Sequence, residues 1–291
     1  MAITMNNWLN DNRKVIAEMG NFKVIEHQKD LSVNKITAQD EYFSSQMNVK
    51  CRQVEISLDG NSTVKTQAGA MQLLVGKVEM DTGVQSAKGF LGSMVKAAVT
   101  NETAVKPIYH GNGKVILEPT YKHIILQDVA NWGEKGLVIE DGMFLASDGT
   151  VQHHVIENTQ SMTTALLSNE GLYNLCFTGS GIVALESYVP FEELVEFDLQ
   201  DDVLKVDGNM AVCWSGSLKF SIEKTTKTLI GSLASGEGLV NVYRGTGKVW
   251  VSPVAGTAKS TPTTMASGSN TTKEQKSSGS ILGGILGSIL D

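Results

Sequence analysis

The sequence predicts an all-β protein built from three internal repeats of short antiparallel strands with pseudo-threefold symmetry, and three observations predict it. A glycine-led phrase recurs as GNGKVILEP from Gly111, GSGIVALES from Gly179 and GTGKVWVSP from Gly245, at separations of 68 and 66 residues. Each phrase continues as an alternating run, placing Val115 and Leu117, Val183 and Leu185, and Val249 and Val251 on one strand face. Other landmarks keep the same order: VIEDGMFLA from Val138 is answered 66 residues later by LKVDGNMAV from Leu204, with a weaker counterpart, TQAGAMQLL, from Thr66.

The elements follow in chain order. Residues 1–45 read as an N-terminal extension packed on the core. Within it WLNDNRKVIAEM carries the broken apolar face of a short amphipathic helix through Trp8, Leu9, Val15, Ile16 and Met19, and FKVIEH reads as a strand. Residues 46–254 form the three-repeat β core. Asn112-Gly113, Ser180-Gly181 and Thr246-Gly247 suit the centres of tight hairpins, which makes Gly111, Gly113, Gly179, Gly181, Gly245 and Gly247 structural turn residues. An aromatic residue, Tyr109, Phe177 or Tyr243, stands two places before each first glycine. The face opposite the apolar one drifts between copies. One such unit cannot bury its apolar side alone, whereas three can close a shared core. A small-residue apolar stretch before each phrase ends at Glu102, Glu170 or Glu237; Thr103 stands where the later copies have Gly171 and Gly238. The simplest role for these three carboxylates is to accept backbone N–H bonds in a turn.

Beyond the core, residues 255–277 are a flexible Ser/Thr/Gly linker. Residues 278–291 end in SILGGILGSILD, where Ile281, Leu282, Ile285, Leu286, Ile289 and Leu290 recur every four residues and share one face of a helix. Gly283, Gly284 and Gly287 each cost a helix about 1 kcal/mol relative to alanine, so the segment is predicted to order only against a surface, as a docking peptide. That surface is its own core, another copy, an unidentified protein partner or a membrane surface.

Composition excludes several classes. The 291 residues carry a formal net charge of −7, which disfavours nucleic acid as a partner. The N-terminal segment has neither a secretory h-region nor an Arg-rich transit character, and Cys51, Cys176 and Cys213 form no CxxC pair; a cytoplasmic location is expected. Gly247-Lys248 lacks the upstream glycine and the following Ser or Thr of a phosphate loop, and the GxG phrases lead into strands rather than helices. His27, His110, His123, His153 and His154 form no metal-ligand spacing, and the adjacent pair points to opposite strand faces. Cys176 reads as a small core residue, and Glu192, Glu193 and Glu196 as a solvated acidic edge. No catalytic residue, cofactor or metal site is predicted.

AGAM at Ala68–Met71, the Glu-Gly-Leu of NEGL and GEGL, and the hairpins GSGIVALES and GTGKVWVSP resemble the Altered Inheritance of Mitochondria protein 24 family over residues 46–254. The resemblance implies a fold related to the tryptophan RNA-binding attenuation protein, a β-sandwich unit repeated within one chain. It implies no catalytic residues, and RNA binding by fold analogy runs against the acidic charge. The expected function is a non-enzymatic cytoplasmic scaffold or adaptor, with a small-ligand-binding module as the alternative and an RNA binder or enzyme behind both.

Overall fold

In the computed structural model the described residues are 3–82, 106–157, 173–208, 210–224 and 239–254. All of them fall within one compact unit, Met1–Thr257. The fold is mostly β. Its strands are β1 (Arg13–Met19), β2 (Phe22–His27), β3 (Arg52–Thr66), β4 (Met71–Asp81), β5 (Ile108–Leu117), β6 (His123–Asp128), β7 (Leu137–Ile139), β8 (Phe144–Asp148), β9 (Gln152–Glu157), β10 (Tyr173–Thr178), β11 (Ile182–Ser187), β12 (Val195–Asp207), β13 (Ala211–Ser215), β14 (Lys219–Lys224) and β15 (Leu239–Val251). The one α-helix among the described residues, α1 (Ala38–Gln46), has no buried residue.

The strands make two antiparallel sheets. The eight-stranded sheet runs β1-β2-β3-β8-β11-β6, with β5 also on β3 and β4 on β5; the seven-stranded sheet runs β12-β15-β13-β7-β10-β9, with β14 on β15. Each sheet curls and encloses apolar side chains on its own inner face. Phe22, Val54, Ile56, Tyr109, Val115 and Leu126 fill the eight-stranded sheet, and Trp214, Tyr243, Val249 and Leu218 fill the seven-stranded one. A third cluster, including Trp132, Phe144, Phe177, Leu185 and Trp250, lies between the sheets. The expectation of one shared core is therefore replaced by three layers. Strand β11 shows why: Ile182 and Ala184 face one cluster while Val183 and Leu185 face the next, so both sides of an alternating strand are covered.

The glycine phrases are not hairpin turns, which corrects the sequence reading. Gly111 and Gly113 lie inside the continuous strand β5, and Gly245 and Gly247 inside β15. Gly179 and Gly181 lie in the short link that carries the chain from β10 in one sheet to β11 in the other. At Gly111 and Gly113 a neighbouring backbone comes close, and at Gly181 and Gly247 the side chains of Thr150 and Ser215 do. At Gly113 an added Cβ would collide with the Val75 carbonyl oxygen of β4, so only glycine fits. The partner strands carry bulges, between Asp59 and Thr63 on β3 and between Leu199 and Asp202 on β12.

Each phrase occupies the middle of an antiparallel trio. Strand β5 lies between β3 and β4; β10 and β11 lie between β7 and β6 on one side and β9 and β8 on the other; β15 lies between β12 and the pair β13 and β14. The six apolar positions Val115, Leu117, Val183, Leu185, Val249 and Val251 are buried, as are Tyr109, Phe177 and Tyr243.

The N-terminal reading needs a second correction. Residues 13–19 form strand β1, not a helix, because Gly20 (φ 57°) and Asn21 make a two-residue hairpin that pairs Met19 with Phe22. Strand β2 then pairs with β3 from Phe22↔Ile56 to Glu26↔Arg52, so this hairpin is part of the eight-stranded sheet.

Candidate functional site

Among the described residues, three places bring together side chains that could do chemistry. The first is a serine–histidine pair. Strands β8 and β9 bring Ser147 Oγ to 2.8 Å from His153 Nε2. The phenyl rings of Phe144 and Phe177 pack against the imidazole with centroids at 5.0 and 4.9 Å. Burial, with Lys106 and Lys65 nearby, pushes His153 down to about 3, so the ring is a neutral base at physiological pH. Its Nδ1 is buried without a hydrogen-bond partner. A serine nucleophile, however, must be reached by substrate, and Ser147 is fully buried. The pair is a polar tie between β8 and β9. His154 points the other way, its Nε2 at 2.8 Å from Thr178 Oγ1.

The second place is a polar groove of about 700 Å³, lined by the β1–β2 turn, the β3 bulge and the turn after β8. Two carboxylates border it. Asp59 accepts hydrogen bonds from the Asn61 and Ser62 backbone N–H groups and from Ser62 Oγ, which pull it down to about 2. Asp148 is raised by burial, opposed by the Ile182 N–H that donates to it at 2.7 Å. Each is engaged by its own surroundings, and the pair is not arranged as an acid and a base on one substrate atom.

A buried ion pair forms the third place. Arg52 is 2% exposed and Glu26 7%. The Arg52 Nε donates to Glu26 Oε2 at 3.0 Å, while its terminal nitrogens donate to the Lys50 carbonyl and to the carbonyl and side chain of Asn48. Lys50 Nζ donates to Glu26 Oε1 at 3.1 Å. The guanidinium is thus consumed in tying the segment after α1 to β2 and does not present itself to an anion. A smaller cleft beside it, about 380 Å³, includes His123 and Glu192.

Of the residues singled out from sequence, Cys176 is buried and its thiol is pushed up to about 11, and Cys213 is buried with its thiol pushed up as well. Glu192, Glu193 and Glu196 are exposed, and Glu196 accepts from Trp250 Nε1 at 2.6 Å. Among the described residues no cluster of three His, Cys, Asp or Glu side chains could hold a metal ion. Glu102, Glu170, Glu237 and the docking residues from Ile281 to Leu290 lie outside the described residues.

What the sequence reading missed is where the sheet edges fall: among the described residues six strands have a single partner strand, and β4 and β12 are the longest of them. Among the described residues β4 pairs only with β5, and β12 only with β15. These edges carry exposed apolar side chains: Leu73, Leu74 and Met80 on β4, and Val195, Phe197 and Val203 on β12. An edge with free N–H and C=O groups and apolar side chains is a template for pairing with another strand. Alternation alone could not reveal this, because an edge strand and a central strand read alike in sequence.

Fold and site together define a mostly β protein of curled antiparallel sheets whose long edge strands β4 and β12 expose apolar side chains. The chain belongs to the family described as Mitochondrial biogenesis AIM24, whose model matches residues 43–254. It is 28% identical over 206 residues to an uncharacterised protein of Streptococcus pyogenes serotype M6, covering 68% of this chain and 79% of that one. A Streptococcus pyogenes protein solved by X-ray crystallography as a structural-genomics target shares the fold with a TM-score of 0.52 and 24% identity, covering 72% of this chain and 90% of that one. No helix among the described residues is long and apolar enough to cross a membrane.

Proposed function

We propose that the protein is a non-enzymatic scaffold or adaptor of the cytoplasm. Its core is three copies of one unit, like that of the tryptophan RNA-binding attenuation protein, related by pseudo-threefold symmetry. It binds through open strand edges and through the apolar segment at residues 278–291. The observation that carries this reading is the pair of edges, where Leu73, Leu74, Phe197 and Val203 reach solvent while the groups capable of chemistry are buried or bonded to one another. Affinity capture from the native host tests it, comparing the full chain with an edge variant carrying Leu73→Lys and Val203→Lys and with a chain ending at residue 277. Loss of identified partners in either altered chain supports the reading; identical partner sets overturn it.

A second reading, a small-ligand module, is favoured by one observation. The polar groove lies where the first glycine-phrase trio meets the second, between Ser57–Thr63 and Asp148–Thr150. Native mass spectrometry of gently purified protein separates the two, since a stoichiometric added mass supports the ligand module.

A further inference from the structure

The two ends of the core carry the two halves of a junction that the chain already makes twice. In the first junction β3 pairs with β8 as Val64↔Asp148, Lys65↔Ser147 and Thr66↔Ala146. In the second β7 pairs with β13 as Leu137↔Ser215, Val138↔Trp214 and Ile139↔Cys213. Landmarks on the glycine phrases show that the two registers are the same. Val64 stands opposite Tyr109 and Leu137 opposite Phe177, the aromatic residue of each phrase. Ala146 stands opposite Ala184 and Cys213 opposite Trp250, each the third residue after the second glycine.

The same landmarks locate the unused halves. On β12, Leu204 stands opposite Tyr243, so Leu204, Lys205 and Val206 take the places of Val64, Lys65 and Thr66. On β4, Leu73 stands opposite Ile116, so Leu73, Leu74 and Val75 take the places of Ala146, Ser147 and Asp148. Burial differs as an absent cover strand requires. Ala146, Ser147, Cys213 and Trp214 are buried, whereas Leu73 is 46% and Leu74 38% exposed. The lysine at 205 does not forbid pairing, because Lys65 holds the matching place in a formed junction and donates to the carbonyls of Gly149 and Val151.

We propose that a second copy of this chain covers the β4 edge. The Leu204–Val206 edge of one molecule pairs antiparallel with the Leu73–Val75 edge of the next, in the register Leu204↔Val75, Lys205↔Leu74 and Val206↔Leu73. This rests on the strand-edge scaffold reading and names the partner. Within one chain the two halves belong to different sheets, and no ladder joins them among the described residues. The contact joins unlike surfaces, so copies assemble head to tail into a ring or a filament.

The test uses the purified full chain in a Cys51→Ser background. Under oxidising conditions a mixture of Leu74→Cys and Lys205→Cys chains forms a disulfide-linked dimer that neither chain forms alone. By light scattering the unaltered protein has a mass that is a multiple of the single chain. Leu74→Lys sets two ammonium groups opposite each other and weakens association about tenfold or more, and Lys205→Glu in the same chain restores it. A protein that stays monomeric at every concentration overturns the proposal. So does a Leu74→Cys/Lys205→Cys chain that closes its disulfide internally without gaining mass. If the monomer nevertheless loses captured partners on edge substitution, self-pairing has failed while the scaffold reading stands.

Discussion

Arg52 shows how one buried charge organises its neighbourhood. Its guanidinium is shielded by β2 and by the segment after α1, and each of its nitrogens finds an oxygen on Glu26, Lys50 or Asn48. Removing one partner of such a pair costs about 3–5 kcal/mol, because the other charge is left buried. Arg52→Met should therefore lower the unfolding free energy by about 3 kcal/mol. The double variant Arg52→Met/Glu26→Met should lose less than the sum of the two single changes, read from urea titrations as a cycle. His153 supplies a pH signature of opposite character, a neutral ring kept from its proton. The unfolded chain binds that proton below the ordinary histidine value of 6.5, the folded chain only near 3. Stability from this group is full above pH 6.5 and falls as pH drops towards 3, at about 1.4 kcal/mol per unit for a fully shielded ring. Between pH 6.5 and 5 the urea midpoint should fall more steeply in the unaltered protein than in His153→Gln; equal slopes would refute the assignment. Neither site was legible in the sequence. Arg52 is one cation among many, and Ser147 meets His153 only because the turn after β8 carries the chain from one sheet to β9 in the other.

At the scale of elements, the N-terminal hairpin is the clearest departure from expectation. The apolar residues of WLNDNRKVIAEM fit a helical face loosely, yet Gly20-Asn21 is the stronger local signal, since a two-residue glycine turn commits the chain to a hairpin. The strand reading of FKVIEH is what the structure contains, with Phe22 and Val24 fully buried against Val54 and Ile56. Phe22→Ala should thus cost about 3–5 kcal/mol, the range for emptying a buried phenyl site, measured by chemical denaturation. A detachable appendage would show almost no change. The glycine phrases teach the complementary lesson. Their spacing and alternation were legible, and the buried positions follow from them, but glycine serves equally at a turn and at a close approach inside a long strand. Only the approach of Val75 and Lys77 to β5 distinguishes the two uses, and that approach belongs to a strand some 35 residues away.

Among the described residues the core is layered so that no stretch of chain owns it. The first cluster joins Phe22, Val64 and Val115 to Leu145, Ile182 and Ala184; the second joins Phe144 and Leu185 to Cys213 and Trp250; the third joins Val138 and Cys176 to Trp214 and Tyr243. Every cluster therefore spans two successive glycine-phrase trios. The glycine phrases themselves are readable in the sequence, whereas the sharing of clusters depends on β10 and β11 lying in different sheets, which no periodicity encodes. An array whose units each carried a private core would melt in pieces. Here the loss of one trio strips apolar cover from the next, so unfolding should be a single cooperative transition. The probes can tell the difference. Trp8 donates to Glu55 on β3, so the test is made in a Trp8→Phe chain; there Trp132, Trp214 and Trp250 all lie in the second and third clusters and their fluorescence reports on that part, while circular dichroism reports on both sheets. Urea curves from the two signals should coincide, and Ile56→Ala in the first cluster should move the fluorescence midpoint although no tryptophan belongs to that cluster. A fluorescence midpoint left unmoved while the circular dichroism curve splits in two would mean that the clusters unfold separately.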